Sequence, residues 1–83
     1  GRRVAQNASG GTDHGTASNM FLISGGLKQK GLINEMPNLS DLDEGDLKFK
    51  VDFKDVYATM LKKWLNADDK SILGRQHQYL NFI

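Results

Sequence analysis

The run Thr12-Asp13-His14-Gly15-Thr16 contains the residues best suited to chemistry in this chain. A carboxylate oxygen and an imidazole nitrogen are both good ligands for a divalent metal ion. Neighbouring residues of a regular strand point to opposite faces. Asp13 and His14 can therefore share an ion only where the backbone twists, as at a strand end beside a glycine. The run predicts a metal-binding pair in such a place.

The same residues also fit a plain polar turn. In that interpretation the Asp13 side chain bonds to a nearby backbone N–H and His14 lies exposed to solvent. An Asp-His-Gly tripeptide occurs by chance in a chain of this length on the order of one time in a hundred. The motif alone leaves both interpretations open.

The remaining polar residues are less specific. His77 lies between two glutamines and is predicted to be an exposed polar residue. An acidic cluster lacks the glycine and glutamate spacing of a calcium-binding loop, which favours a solvated acidic turn. This acidic cluster comprises Asp41, Asp43, Glu44 and Asp46.

The elements that must position these residues are predicted to be a mixture of strands and one helix. Residues 1–18 are rich in glycine and polar side chains and predict a loop. The apolar run 19–24 predicts a buried strand, and the alternation over 47–53 predicts a strand with one buried face. Residues 72–83 are predicted to end in a further strand. This order is typical of a fragment of an α/β or α+β fold.

An amphipathic helix is predicted over residues 54–66, because apolar side chains recur there at helical spacing. Asp52 and Asp55 resemble a capping box at its start. The predicted buried stripe comprises Val56, Tyr57, Met60, Leu61, Trp64 and Leu65.

The composition excludes several classes of function. The chain has 83 residues, enough for at most one small domain. Its 11 basic and 10 acidic residues give a net charge of +1, without the basic excess of a nucleic-acid-binding protein. It has no cysteine, so it forms no disulfide and no thiolate metal site. No apolar window is long enough to cross a bilayer. Because the chain begins without Met, residues 1–83 are expected to be a single small domain or a fragment.

Four stretches resemble the C-terminal end of the alkaline phosphatase superfamily. They are Gly1–Ala5, Gly10–Ala17, Met20–Lys28 and Asp52–Leu61. More closely, the chain is similar to a bacterial family of sulfatase-like proteins with a domain of unknown function, often exported by the twin-arginine route. The resemblance runs from Gly1 to about Leu65. It implies the C-terminal part of an alkaline-phosphatase-like sandwich and a periplasmic or cell-surface location.

The resemblance also implies roles for five residues. Asp13 and His14 match a pair that ligates one of the catalytic metal ions in the superfamily, with Zn, Mn, Mg and Ca not distinguished. Such an ion polarises a phosphoryl or sulfuryl oxygen and activates a nucleophile bound to it. Gly15 would let the backbone pass close to the ion. Thr12 and Thr16 would orient the ligands through hydrogen bonds.

The chain departs from the superfamily pattern in ways that limit the expected function. The superfamily's nucleophile and its other metal ligands lie in the N-terminal part, which has no counterpart here, and Tyr57 stands where some relatives have histidine. We therefore expect no catalytic residue in this chain and no activity from it alone. Its expected partners are the N-terminal remainder of its parent chain and a small anionic ester.

Three functions remain open at this point. The first is a segment of a metal-dependent hydrolase of phosphate or sulfate esters, and the second is a binding or structural domain that keeps the hydrolase scaffold without the chemistry. The third is a self-standing interaction domain that uses exposed strand edges.

Overall fold

The computed structural model describes all residues, 1–83, and the chain divides into two compact units. The first unit comprises Gly1–Leu22 and Glu35–Lys50, and the second comprises Ile23–Asn34 and Val51–Ile83. The strands lie in the first unit and the helices in the second, so the chain is a small mixed α+β protein. No helix has both the length and the apolar character needed to span a membrane.

Two antiparallel hairpins form the regular part of the first unit. Their strands are β1 (Arg2–Gln6), β2 (Thr12–His14), β3 (Leu42–Asp43) and β4 (Asp46–Leu47). β1 pairs with β2, and β3 pairs with β4. The prediction of a loop over residues 1–18 was therefore wrong for Arg2–Gln6 and Thr12–His14, and the rest of that range has no regular structure. The residues of β1 are almost all exposed and show no alternation of apolar and polar side chains, so the usual indication of a strand is missing.

The acidic cluster forms the turn of the second hairpin and its flanks. Glu44 and Gly45 both have positive φ, 49° and 88°, which is the backbone geometry of a two-residue type I′ turn. Arg3 of β1 donates to both carboxylate oxygens of Asp46 at 3.1 Å. These bonds join the two hairpins. They also raise the pKa of Arg3, chiefly through the hydrogen bonds to Asp46 and then through its charge.

The second unit contains three short helical segments. These are α1 (Phe53–Thr59), a π-helix (Met60–Trp64) and α2 (Asp69–Leu73). The first two confirm the helix predicted over 54–66. The Asp52 carboxylate accepts from the backbone N–H of Lys54 at 2.9 Å, so Asp52 acts as the N-cap.

The buried side of this helical stretch differs from the predicted one. Ala58 and Thr59 are fully buried, whereas Tyr57, Trp64 and Leu65 of the predicted stripe are exposed. The prediction was wrong for these three residues, whereas Val56, Met60 and Leu61 of the stripe are half-buried. The C-terminal segment packs on the side of Thr59, whose hydroxyl accepts from the N–H of Leu80.

That segment is held against α1 by hydrogen bonds rather than by strand pairing. The Thr59 hydroxyl donates to the backbone carbonyl of Asp55 at 2.7 Å and accepts from the N–H of Leu80 at 2.8 Å. The Asp55 carboxylate accepts from the N–H of Gln78 at 3.2 Å. Residues 79–83 form no strand, contrary to prediction, although Phe82 is buried as expected of an apolar terminal run.

Two other strand predictions were also wrong. Residues 19–24 form no strand, and Ile23 is 98% exposed. Of the predicted strand 47–53, only Leu47 pairs, and Phe49 is exposed. An apolar segment forms a stable strand only where another layer of the protein covers its apolar side chains. Neither of these two runs is covered within this chain.

We expect acid to loosen the start of α2. The backbone N–H and the hydroxyl of Ser71 both donate to the Asp68 carboxylate, at 3.3 and 2.7 Å, and these bonds lower the pKa of Asp68 below its ordinary 3.8. Because the pKa of Asp68 is lower in the folded state, its ionised carboxylate stabilises the fold above pH 3.8. This stabilisation is lost as the pH falls through the folded-state pKa.

The measurement is an NMR titration of the Ser71 amide between pH 6 and pH 2. The matched control is Asp68→Asn, because asparagine still caps a helix but does not titrate in this range. A Ser71 amide that shifts equally in both proteins would contradict the prediction.

Candidate metal-binding pair

Asp13 is the middle residue and His14 the last residue of β2. His14 pairs with Arg2 of β1, and Thr12 pairs with Gln6. Between these two pairs the register shifts, because three residues of β1 stand opposite the single residue Asp13. An irregularity of this kind increases the local twist of a hairpin. Such twist is what adjacent residues require if they are to approach one ion.

Both side chains are open to solvent. Asp13 and His14 are each exposed, so an ion could reach the carboxylate and the imidazole without any opening of the fold. Over residues 1–83, no group of three or more His, Asp or Glu side chains could hold a metal ion. The donor set offered here is therefore one oxygen ligand and one nitrogen ligand, which fits part of a divalent metal site.

The Asp13 carboxylate has a hydrogen-bond partner in the turn of the first hairpin. The Asn7 side-chain N–H donates to Asp13 Oδ1 at 3.1 Å. Sequence reasoning missed Asn7 as a neighbour of the pair. The turn-forming run Asn7-Ala8-Ser9-Gly10-Gly11 was the available indication, since a hairpin turn there returns Asn7 to the side of Asp13.

Two arginines lie near the pair, and each of them already has a hydrogen-bond partner. Arg2, the cross-strand partner of His14, donates from its guanidinium to the Thr12 carbonyl at 2.9 Å. Arg3 is bonded to Asp46 and lies near enough to Asp13 for that carboxylate to raise its pKa slightly. A guanidinium is suited to binding phosphate or sulfate oxygens.

A scan against protein-family models finds no family that matches the chain. Searches of curated proteins and of solved structures find no match either.

The three residues expected to assist the pair have other contacts. Thr12 uses its carbonyl to accept from Arg2, and the Thr16 hydroxyl donates weakly to the Leu47 carbonyl at 3.5 Å. Gly15 lies against β1, where an added Cβ would come within 3.0–3.2 Å of the backbone of Arg2 and Arg3. These distances are shorter than ordinary van der Waals contact, so the lack of a side chain at Gly15 lets the chain lie close to β1.

An open groove with a volume of about 260 Å³ is lined in part by Thr16. Its lining combines apolar and charged side chains: Thr16, Asp43, Leu47, Lys48 and Phe49. Lys48 donates to Asp41 at 2.8 Å, and this hydrogen bond raises the pKa of Lys48. The ammonium group is therefore already paired within the acidic cluster.

The second histidine lies in the other unit and is buried, so the prediction of an exposed His77 was wrong. Its side chain is 2% exposed, and Nδ1 lies 3.3 Å from Asp55 Oδ1. Its Nε2 is buried and has no hydrogen-bond partner. Flanking glutamines suggest a solvated residue, and only the folding of the C-terminal segment onto α1 places His77 inside.

Proposed function

We propose that this chain is the C-terminal segment of a metal-dependent hydrolase of phosphate or sulfate esters. In this proposal Asp13 and His14 supply two ligands to a divalent ion, which would be Zn, Mn, Mg or Ca. The observation that carries it is an exposed carboxylate next in sequence to an exposed imidazole, at the end of a strand with an irregular register, with the carboxylate hydrogen-bonded to Asn7. The finer fold, an alkaline-phosphatase-like sandwich, belongs to the same proposal.

The chain's own residues would bind and orient rather than react. The bound ion would polarise an ester oxygen and activate a nucleophile. Asp13 would offer its unbonded carboxylate oxygen and His14 one ring nitrogen. Arg2, across the hairpin from His14, would favour a substrate that carries negative charge.

The remaining parts of the site would come from outside these residues. The nucleophile and the other ligands would be supplied by the N-terminal remainder of the parent chain. Large apolar side chains are exposed in both units, including Phe21, Ile23 and Trp64, and such a partner could cover them. A periplasmic or cell-surface location is part of the proposal.

An NMR titration with Mn²⁺ tests the metal-binding step on the chain itself. We expect paramagnetic broadening centred on residues 12–16, reversed by a chelator. Asp13→Asn and His14→Gln should each abolish most of this broadening, since one remaining ligand binds an ion poorly. Asp43→Asn, which removes an exposed carboxylate of the acidic cluster, is the matched control and should leave the broadening unchanged. Broadening confined to residues 41–46, or none at residues 12–16, would contradict the proposal.

A second candidate function is a binding or structural domain that keeps the scaffold without the chemistry. The observation in its favour is that residues 1–83 contain no third ligand beside Asp13 and His14. It predicts no response of residues 12–16 to Mn²⁺. The same titration therefore separates the two functions.

A further inference from the structure

We infer that Asn7 is a positioning residue for Asp13, holding its carboxylate so that one defined oxygen is presented to a metal ion. This inference rests on the proposed function of the Asp13–His14 pair. It assigns to Asn7 an orienting role of the kind that supporting hydrogen bonds have in metal sites.

The orientation of Asn7 is itself fixed by the hairpin turn. Its side-chain oxygen accepts from the backbone N–H groups of Ser9 and Gly11, both at 3.0 Å. Its backbone N–H donates to the Gly11 carbonyl at 2.8 Å, and its carbonyl accepts from Gly10 at 3.1 Å. Gly10 has a φ of 81°, a conformation that suits glycine and lets this turn close tightly.

These bonds leave the amide only one direction for its donor. With Oδ1 of Asn7 committed to two backbone groups, the side-chain N–H group is turned toward Asp13 Oδ1. The amide plane is rigid, so the turn fixes the donor, and the donor fixes one carboxylate oxygen. Asp13 then offers Oδ2 to an ion and binds it through that single oxygen.

Asn38 provides a comparison within the same unit. Asn38-Leu39-Ser40 repeats the Asn-x-Ser pattern of Asn7-Ala8-Ser9, and the Asn38 side-chain oxygen accepts from the Ser40 N–H at 2.9 Å. Both asparagines thus close a local turn. The bond to a proposed metal ligand distinguishes Asn7.

The variant that tests the inference is Asn7→Ser. A serine hydroxyl can accept from the N–H two residues ahead, as it does in turns, but it is too short to reach Asp13. We expect the apparent affinity of residues 12–16 for Mn²⁺ to fall by about 10–100-fold, the usual effect of losing an orienting partner. Asn38→Ser is the matched control and should leave that affinity unchanged.

A metal-free measurement separates positioning from turn formation. The amide shifts of Ser9 and Gly11 report whether the turn persists in Asn7→Ser. Weaker Mn²⁺ binding with these shifts retained supports the inference. Two outcomes overturn the inference about Asn7 and leave the proposed function intact. One is unchanged Mn²⁺ binding in Asn7→Ser, and the other is a loss of Mn²⁺ binding that accompanies loss of the turn. A wild-type chain without broadening at residues 12–16 overturns both.

Discussion

Replacing Phe82 by alanine is expected to lower the free energy of unfolding of the second unit by about 3–5 kcal/mol. Phe82 is 1% exposed and is the largest side chain that is fully buried. Its backbone carbonyl accepts from the N–H of Lys28 at 2.7 Å, and alanine keeps this bond. The change in the free energy of unfolding therefore reports the loss of the aromatic ring alone. Domains are stable by only about 0.05–0.15 kcal/mol per residue, so the loss is comparable to the whole stability of so small a unit.

Urea unfolding followed by circular dichroism at 222 nm measures this loss. We expect Phe82→Ala to have little helical signal left at 25 °C, because the helices belong to the second unit. The matched control is Phe21→Ala, which removes an equal ring from an exposed position and should change stability by less than about 0.5 kcal/mol. Similar losses for both variants would contradict the burial described for Phe82.

Removing a single hydroxyl in Tyr79→Phe is expected to cost about 1–3 kcal/mol. The Tyr79 hydroxyl lies 2.9 and 3.0 Å from the two carboxylate oxygens of Asp69. Asp69 is 4% exposed, so it cannot replace this donor with bulk water. A buried carboxylate that loses its donor retains the full cost of desolvation. The change in the free energy of unfolding, again from urea titration, is the measurement.

Tyr57→Phe is the matched control for this variant. Tyr57 is exposed, and its ring lies edge-on to Phe53 at 5.4 Å, a contact that phenylalanine preserves. We expect its stability to stay within about 0.5 kcal/mol of the wild type. If the two tyrosine variants lose equal stability, the Tyr79–Asp69 bond is not what holds this part of the unit.

The helix could be predicted from the sequence, but its buried side could not. Periodicity and the cap at Asp52 are local properties, and both are present in α1. Which side is buried depends on what packs there. In this chain Thr59 bonds to Leu80, twenty-one positions away, and no local pattern contains that information.

The strands were harder to predict for a related reason. The run 19–24 is apolar but stays exposed, and Arg2–Gln6 is polar but pairs with β2. Strand formation depends on a partner and on a covering layer more than on intrinsic preference. The type I′ turn at Glu44-Gly45 is formed within four residues, yet its flanking strands are only two residues long. Segments so short carry almost no periodicity.

The sequence allows ligands to be proposed for the candidate site, and the binding of a metal ion by these ligands stays a prediction. Asp13 and His14 could be proposed because their chemistry is evident from residue type. Asn7 was missed, because its contact with Asp13 exists only once the hairpin closes and residues 1–18 were predicted to be a loop. His77 was predicted to be exposed because its neighbours in sequence are polar, but in the folded chain its side chain is buried.

The contrasting surroundings of the two histidines make them chemically distinguishable. An imidazole nitrogen reacts with an acylating reagent only when its lone pair can be approached. The ring of His14 is open in the folded chain, whereas His77 Nε2 is enclosed and unbonded. His77 therefore becomes reactive only when the C-terminal segment leaves α1, at a rate set by the free energy of that local opening. The acylation rate of His14 gives the intrinsic reactivity of the reagent toward an accessible imidazole. The acylation rate of His77 relative to that of His14 then reports how often the C-terminal segment opens.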